Sequence, residues 1–356
     1  MSRSSFAVTN YSRPAFDFDS SSPCFPFVPK GLLSIDACEE IWPLKEPFRI
    51  SRGSRTAAQV VVATMSDGEH IGRGECVPLA RYNQSIASVL AQIESVQSEK
   101  NFNRQGLQEL LPAGAARNAL DCALWDLEAK ASGKRVWELA NIPFVPEVET
   151  SFTISLDTPE KMAASAQGRG GPGPLKLKLG GDDADLARVR AVREVASAVR
   201  LLVDANESWS PEHYQKIAPA LEHLGVELIE QPFPADADEV LETLDHPIPV
   251  CADESCHATA DLPRLTNRYE AINVKLDKTG GLTEALRLCE RARGSGFNLL
   301  IGCMVCTSLG IAPARLLAMN SEWLDLDGPL LLARDRDHPV QYANGRIGIP
   351  PRDLWG

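Results

Sequence analysis

Five apolar runs in succession each end in ionisable or amide side chains. Lys176 and Lys178 lie in "PLKLKLG", Asp204 and Asn206 close "VRLLVDAN", and Glu230 follows "VELI". Asp253 and Glu254 lie in "CADES", and Asn273, Lys275, Asp277 and Lys278 lie in "NVKLDK". Lysines two apart on an extended segment point to the same face, so Lys176 and Lys178 set two ammonium groups side by side. Taken alone, such a pair reads as a solvent-facing edge strand guarded by charge. The acidic runs argue otherwise. Asp204, Glu230 and Asp253, brought together from neighbouring strands, would repel one another without a cation. An all-oxygen set without His or Cys favours Mg2+ over zinc. Lysines on opposite sides of one carbon suit a 1,1-proton transfer, in which one face loses the proton and the other regains it. Removing a proton α to a carboxylate leaves an enediolate, whose charge Mg2+ and Lys176 would stabilise. The lysine acting as base must be neutral, and nearby cations are expected to lower its pKa.

The elements that must position these groups follow from periodicity. Strands are predicted at 149–156, 174–180, 199–206, 226–232, 248–255, 269–278, 297–304 and 323–327, with helical patterns such as "DLARVRAVREVASAV" and "LTEALRLCERARGSG" between them. Eight strands alternating with helices predict an α/β architecture, a TIM-like (β/α)7β barrel over 149–327 whose active site sits at the strand C-terminal ends. In such a barrel the second and sixth strands face each other, so Lys178 and Lys275 would flank the metal. The eighth strand, carrying Asp325 and Asp327, would lie across from the fourth, on the side away from the metal. Residues 34–148 run strands first, then helices ("SIASVLAQIESVQ", "AARNALDCALWDLEAKASG"), which predicts an α+β capping domain. Residues 328–356 are expected to return to it, and residues 1–33 read as a disordered extension.

The chain has 356 residues, 44% of them hydrophobic, and a net charge of −12. That balance argues against nucleic acid or an anionic membrane surface as partner. No apolar run reaches the length of a membrane span, and the first 27 residues lack the apolar core of a secretory signal. Nine cysteines are scattered along the chain. They read as reduced thiols of a cytoplasmic protein. Cys303-x-x-Cys306 completes no zinc site and lacks a thioredoxin-like context. The six His show no pairing and receive no role.

From about residue 40 onward the chain resembles the enolase superfamily, in its muconate-lactonising subgroup. The motifs are K-x-K (176–178), D-x-N (204–206), the Glu of "EQP" (230), "ADES" (252–255) and "NVKLDKTGGL" (273–282). The resemblance implies one Mg2+ per subunit held by Asp204, Glu230 and Asp253. It implies Lys178 and Lys275 as the acid/base pair and Lys176 on the substrate carboxylate. Within that subgroup, "RGSR" (52–55), "GAARNALDCALWDLEAK" (114–130), "DANESW" (204–209), "GCMVCTS" (302–308) and "LDLDGP" (324–329) resemble the dipeptide epimerases, in particular those acting on L-Ala-D/L-Glu. Asp325 and Asp327 would then hold the α-ammonium of a small dipeptide, and Thr153 would touch substrate. Arg52 or Arg55, expected on a capping-domain loop, would clamp a side-chain carboxylate. Lys278 is expected to make a structural ion pair, and Cys303 and Met304 to line the wall. The resemblance implies peptidoglycan-fragment recycling and allows a homo-oligomer. The alternatives on the same scaffold are o-succinylbenzoate synthesis, N-acylamino acid racemisation and cycloisomerisation. A sugar-acid dehydratase is disfavoured, because no His-Asp base pair stands at the later strand ends.

Overall fold

The computed structural model describes residues 33–99, 102–143, 145–169 and 173–356. The expectation for residues 1–33 therefore falls outside the described residues, apart from Leu33, which packs in the capping core.

Eight parallel strands form one sheet in sequential order: β5 (Phe152–Ile154), β6 (Leu175–Lys178), β7 (Leu201–Asp204), β8 (Val226–Glu230), β9 (Val250–Ala252), β10 (Ala271–Val274), β11 (Asn298–Gly302) and β12 (Trp323–Asp325). Each of the eight predicted strands is present, trimmed at its ends. The sheet comes back on itself where Ser151 N–H donates to Leu324 O across 2.8 Å, although no continuous ladder joins β12 to β5. Strands buried on both faces need unbroken apolar runs, which is why "LLVD" and "AINV" carry no polar alternation below their ends.

Around the sheet lie α5 (Pro159–Gly168), α6 (Asp185–Val195), α7 (Pro211–His223), α8 (Leu262–Leu265), α9 (Leu276–Thr279), α10 (Leu282–Gly294) and α11 (Ser308–Ala314). Thr158 and Ser210 cap α5 and α7 ahead of a proline in the first turn, where a missing N–H costs nothing. After β8 the chain forms only a 3-10 segment, Asp238–Thr243, so the helical layer is thinner there. Among the described residues no helix is long and apolar enough to cross a membrane.

The capping domain is an antiparallel sheet, β1 (Ser34–Ile50), β2 (Gly53–Ser66) and β3 (Ile71–Cys76), covered by α1 (Ile86–Ser95), α2 (Arg104–Leu110) and α3 (Ala115–Ser132); a single turn, α4 (Val136–Leu139), follows. The run "VVVATM" in β2 is buried on both faces: Val61, Ala63 and Met65 pack into the capping core, and Val60 and Val62 into the cluster continuous with the barrel. The α3 helix lies against β3 so closely that a Cβ on Gly74 would sit 2.1 Å from Ala119 O, and one on Gly72 2.1 Å from Ala123 O. Replacing Gly74 by Ala pits a methyl against backbone that cannot yield. The expected cost is at least about 2 kcal/mol, read as a lowered Tm in thermal unfolding. An unchanged Tm would mean that the helix–strand spacing is slack.

The C-terminal segment touches both units. Arg336 pairs with Glu40 and Glu75, and Trp355 Nε1 donates to Cys122 O at 3.0 Å. The hairpin β13 (Tyr342–Ala343) and β14 (Arg346–Ile347) pairs instead with β4 (Val148–Glu149), just before the first barrel strand.

Candidate active site

The barrel interior is closed by an apolar layer of Leu202, Leu228, Cys251, Ala271 and Leu300, with Trp323 against it. Side chains two positions apart share a strand face. One step of two toward the C-terminal ends therefore places Asp204, Glu230, Asp253, Asn273, Gly302 and Asp325 in the next inward layer. The ladder confirms the level: Lys178 is opposite Asp204, and Asp204 opposite Glu230. The apolar layer excludes water from below, so every charge above it interacts in a low-dielectric setting. Gly302 leaves the room its neighbours use, since a Cβ there would come 2.5 Å from Asn273 Oδ1 and 3.0 Å from Lys275 Cε.

Four ammonium groups meet these carboxylates. Lys176 Nζ lies 2.6 Å from Glu230 Oε2, 2.7 Å from Asp325 Oδ2 and 3.4 Å from Asp204 Oδ2. Lys178 Nζ donates to Asp204 Oδ2 at 2.5 Å and Lys275 Nζ to Asp253 Oδ2 at 2.7 Å. Lys278 Nζ reaches Asp253 Oδ1 (2.6 Å) and Asn273 O (2.9 Å), the structural ion pair expected of it. Asn273 Nδ2 donates to Glu230 Oε1 at 2.8 Å. Asp325 stands on the strand opposite that of Glu230, as expected, yet one ammonium, that of Lys176, touches both. An eight-stranded barrel is only wide enough for its side chains to fill, so opposite strands meet at the centre.

Burial would lower the Lys275 pKa, and Lys176 pushes in the same direction, but Asp253 and Glu230 outweigh both and raise it. Lys176 is likewise held well above its usual range by Asp325, Glu230 and Asp204, against its own burial. The ammonium groups of Lys275 and Lys176 contact carboxylates directly, so attraction exceeds repulsion in both; the lowering expected of the base counts a bound cation among its causes. Among the carboxylates, burial and the Asp204 charge push Glu230 up to about 7. Burial would raise Asp204 too, but Lys178 and Lys176 bring it down to about 2.

Among the described residues no three carboxylate, imidazole or thiol groups stand arranged to share an ion as they lie; the lysine ammonium groups come between them. The donor set nevertheless fits a hard cation. Glu230 Oε2 takes no hydrogen bond, its contact with Lys176 lacking the angles for one, and Asn206 Oδ1 and Glu254 Oε2 are also buried without a partner. Asn206 hydrogen-bonds Asp204, and Glu254 follows Asp253 in the chain. Acceptor-only oxygens left unpaired in a buried acidic cluster are what a cation or its water ligands would satisfy.

Asp325 also accepts from Ser151 Oγ (2.8 Å), and Asp327 from Thr153 N–H (2.6 Å). Thr153 Oγ1 lies 3.3 and 3.4 Å from the two carboxylates, so this threonine holds the aspartate pair. Burial and the Asp325 charge push Asp327 up to about 7. Arg52 lies at the tip of the β1–β2 hairpin, beside Ser51, whose hydroxyl donates to Asn206 O. Its guanidinium donates to Asn206 O (2.8 Å), Glu207 Oε2 (2.9 Å) and Glu254 Oε1 (2.6 Å), clasping the barrel mouth. Arg55 is not on a loop: it lies within β2, opposite Phe48, and is exposed. The hairpin is longer than "QVVVATM" suggested, because cross-strand pairing carries it past the apolar run. Cys303 and Met304 are half-buried on the loop after β11, where Cys303 N–H donates to Asp325 O.

A family model described as "Mandelate racemase / muconate lactonizing enzyme, N-terminal domain" matches residues 33–140, and one described as "Enolase C-terminal domain-like" matches residues 161–353. The chain belongs to the enolase superfamily. It is 47% identical to the L-Ala-D/L-Glu epimerase of Escherichia coli (strain K12), over 89% of this chain and 99% of that one. It is 44% identical to an N-acetyl-D-glutamate racemase of Pseudoalteromonas sp, over 83% and 95%. Among solved structures, an enolase family member from Agrobacterium tumefaciens with homology to dipeptide epimerases, bound to sodium and L-Ala-L-Glu, superposes with a TM-score of 0.88. That protein is 47% identical and is covered in full by 91% of this chain. A dipeptide epimerase from Cytophaga hutchinsonii complexed with Mg and D-Ala-L-Val superposes with a TM-score of 0.84 at 27% identity, covering 90% of this chain and 94% of that one.

Several residues at the mouth of the site carry no signal in the sequence. Arg81 pairs with Glu207 at 2.7 Å, and Tyr82 sets its edge on His257 with ring centroids 4.4 Å apart. They border a cavity of about 470 Å³ lined by Tyr82, Gln84, Glu254, His257, Asp277 and Lys278. "DANESW" and "ADES" contain Glu207 and Glu254, but nothing local marks them as partners of a capping-domain arginine. A second cavity, of about 340 Å³ with Pro174, Arg200 and Trp323 in its wall, opens at the opposite end of the barrel and contains none of the proposed site residues.

Proposed function

We propose that this isomerase is a Mg2+-dependent epimerase of dipeptides, acting on L-Ala-D/L-Glu by 1,1-proton transfer. The observation that carries the reading is the arrangement of two lysines, Lys178 at the end of β6 and Lys275 just after β10, four strands apart. Each is hydrogen-bonded to one carboxylate of the proposed ligand set. Asp204, Glu230 and Asp253 would hold the cation, which when bound supplies positive charge against the substrate carboxylate as its α-proton leaves. Lys178 and Lys275 work from opposite faces of Cα: one Nζ takes the proton, the other returns one to the far face. As arranged, Asp253 favours the charged form of Lys275, the form needed to donate. Sharing Asp253 with a divalent cation would weaken that support and favour the neutral, proton-accepting form. Lys176, fully buried and charged, would lend a fixed positive charge to the reacting carboxylate.

Asp325 and Asp327 would take the dipeptide ammonium, and Arg52 or Arg55 the side-chain carboxylate of its second residue. Because Arg52 already binds Glu207 and Glu254, substrate would have to share or displace those pairs. Eight cysteines free of disulfides among the described residues fit a reducing, cytoplasmic setting.

A second reading, N-acylglutamate racemisation, is favoured by the relative of that activity. The two substrates differ at the acyl end, where the alanyl group carries an ammonium that the shorter acetyl group lacks. Asp327→Asn is expected to lower kcat/KM for L-Ala-L-Glu by about 30-fold or more, the scale of losing a buried charge partner, while leaving turnover of N-acetylglutamate unharmed. A wild-type preference for N-acetylglutamate, or equal loss on both substrates, would favour the second reading.

A further inference from the structure

Lys275 is the N-cap residue of α9, a helix of a single turn. One turn has no helical stability of its own, so the position of this lysine depends on what grips the turn. Lys278 ties the turn to the barrel through Asp253 and Asn273; the rest of the grip comes from the capping domain. Asp277 Oδ1 accepts from Val77 N–H (2.9 Å) and from Asn118 Nδ2 (2.8 Å). Arg117 donates to Thr279 O (2.7 Å) and Gly280 O (3.2 Å). Asp121 Oδ2 accepts Thr283 N–H at 2.9 Å, and Trp125 Nε1 donates to Thr283 Oγ1 at 3.0 Å. Arg117, Asp121 and Trp125 are four apart on α3 and share one face with Asn118 beside them.

The fit admits no side chain. Gly280 and Gly281 have φ of 77° and 109°, and a Cβ on either would come 2.4 Å from Arg117 Nε or 2.5 Å from Asp121 Cβ. Lys178 is held differently. It lies in the β6 ladder opposite Asp204, and the loop after it is fixed by Asp185, which accepts Gly180 N–H and Gly181 N–H at 2.9 Å each. These are barrel residues throughout.

We propose that Asp277 is a positioning residue that ties the turn bearing Lys275 to capping helix α3, so that docking of the capping domain places one of the two lysines and not the other. The inference rests on the two-base reading above. It implies that a lesion in the α3 face that grips the turn acts on one face of the substrate, whereas the hairpin tip, through Ser51 and Arg52, meets Asn206 on the Lys178 side.

The test is α-proton exchange with solvent deuterium, followed by NMR for L-Ala-L-Glu and L-Ala-D-Glu separately, in the full-length protein with Mg2+. Lys275→Ala and Lys178→Ala, run in parallel, identify which epimer each lysine deprotonates. Asp277→Ala is expected to slow exchange of the epimer served by Lys275 by about 10- to 100-fold, the scale of a misplaced catalytic group, and to leave the other within about twofold. Asp277→Asn keeps an oxygen for Val77 N–H and Asn118 and is expected to restore most of the loss. Asn118→Ala, which leaves Asp277 in place, is expected to give the same asymmetry at smaller size. It decides the matter should Asp277→Ala fail to fold. Equal slowing of both epimers, or none, overturns the proposal. If the two lysine variants themselves fail to divide the epimers, the two-base reading falls and this proposal with it, a result recognisable because it appears in the lysine variants.

Discussion

Replacing Lys178 by Ala is expected to abolish epimerisation, a loss of about 10⁴-fold, while one epimer of the dipeptide still exchanges its α-proton with solvent deuterium. Lys275→Ala is expected to do the same with the other epimer. Proton removal requires one Nζ on one face; inversion requires a second on the opposite face. Each variant leaves the rest of the site in place. In Lys178→Ala, Asp204 keeps Lys176 at 3.4 Å and Asn206 N–H at 2.8 Å. In Lys275→Ala, Asp253 keeps Lys278 at 2.6 Å. Retained partners make misfolding a poor explanation for lost turnover, and a Tm within a few degrees of wild type would check that. Near-wild-type epimerisation in either variant, or loss of the same epimer's exchange in both, would remove the two-base mechanism. A one-base reaction such as cycloisomerisation would then take its place.

Chelation is expected to reduce activity to background and Mg2+ to restore it. A binding measurement supports this independently of turnover. An ion held only by the folded state stabilises it by about 2.7 kcal/mol at a hundredfold excess over Kd, so Mg2+ should raise the Tm of chelated protein. Glu230→Gln is expected to remove that increment. The site without a cation confines the negative charge of Glu230 beside Asp204, which is why burial and that neighbour drive its pKa to about 7. A bound cation would relieve the same repulsion. Full activity in excess EDTA, with no Mg2+-dependent change in Tm, would remove the metal from the reaction.

Much of this molecule is legible along the chain. Apolar segments ending in Lys, Asp or Glu locate five successive barrel strands, and the alternation of strand and helix patterns locates the others. The period-two geometry of a strand then sends Asp204, Glu230 and Asp253 inward above Leu202, Leu228 and Cys251. These are local properties, set by side chains within a few residues of each other, and the chain alone determined them. What it left open depends on residues far apart. The direction of the Lys275 shift is a balance among Asp253, Glu230 and Lys176, groups from three other strand ends, and periodicity carries no information about which of them lies nearest. Asp325 meets Glu230 at Lys176 because the barrel is narrow, a property of the closed sheet and of no single strand. Arg52 turns to Glu207 and Glu254 while Arg55, three residues on, faces solvent, since only pairing of β1 with β2 decides where the hairpin tip falls. Asp277 looks like one more charge after a strand until α3, 159 residues earlier in sequence, brings Asn118 to it. Electrostatics and tight packing act through space with steep distance dependence, so these contacts were settled only when the capping domain and the barrel closed on each other.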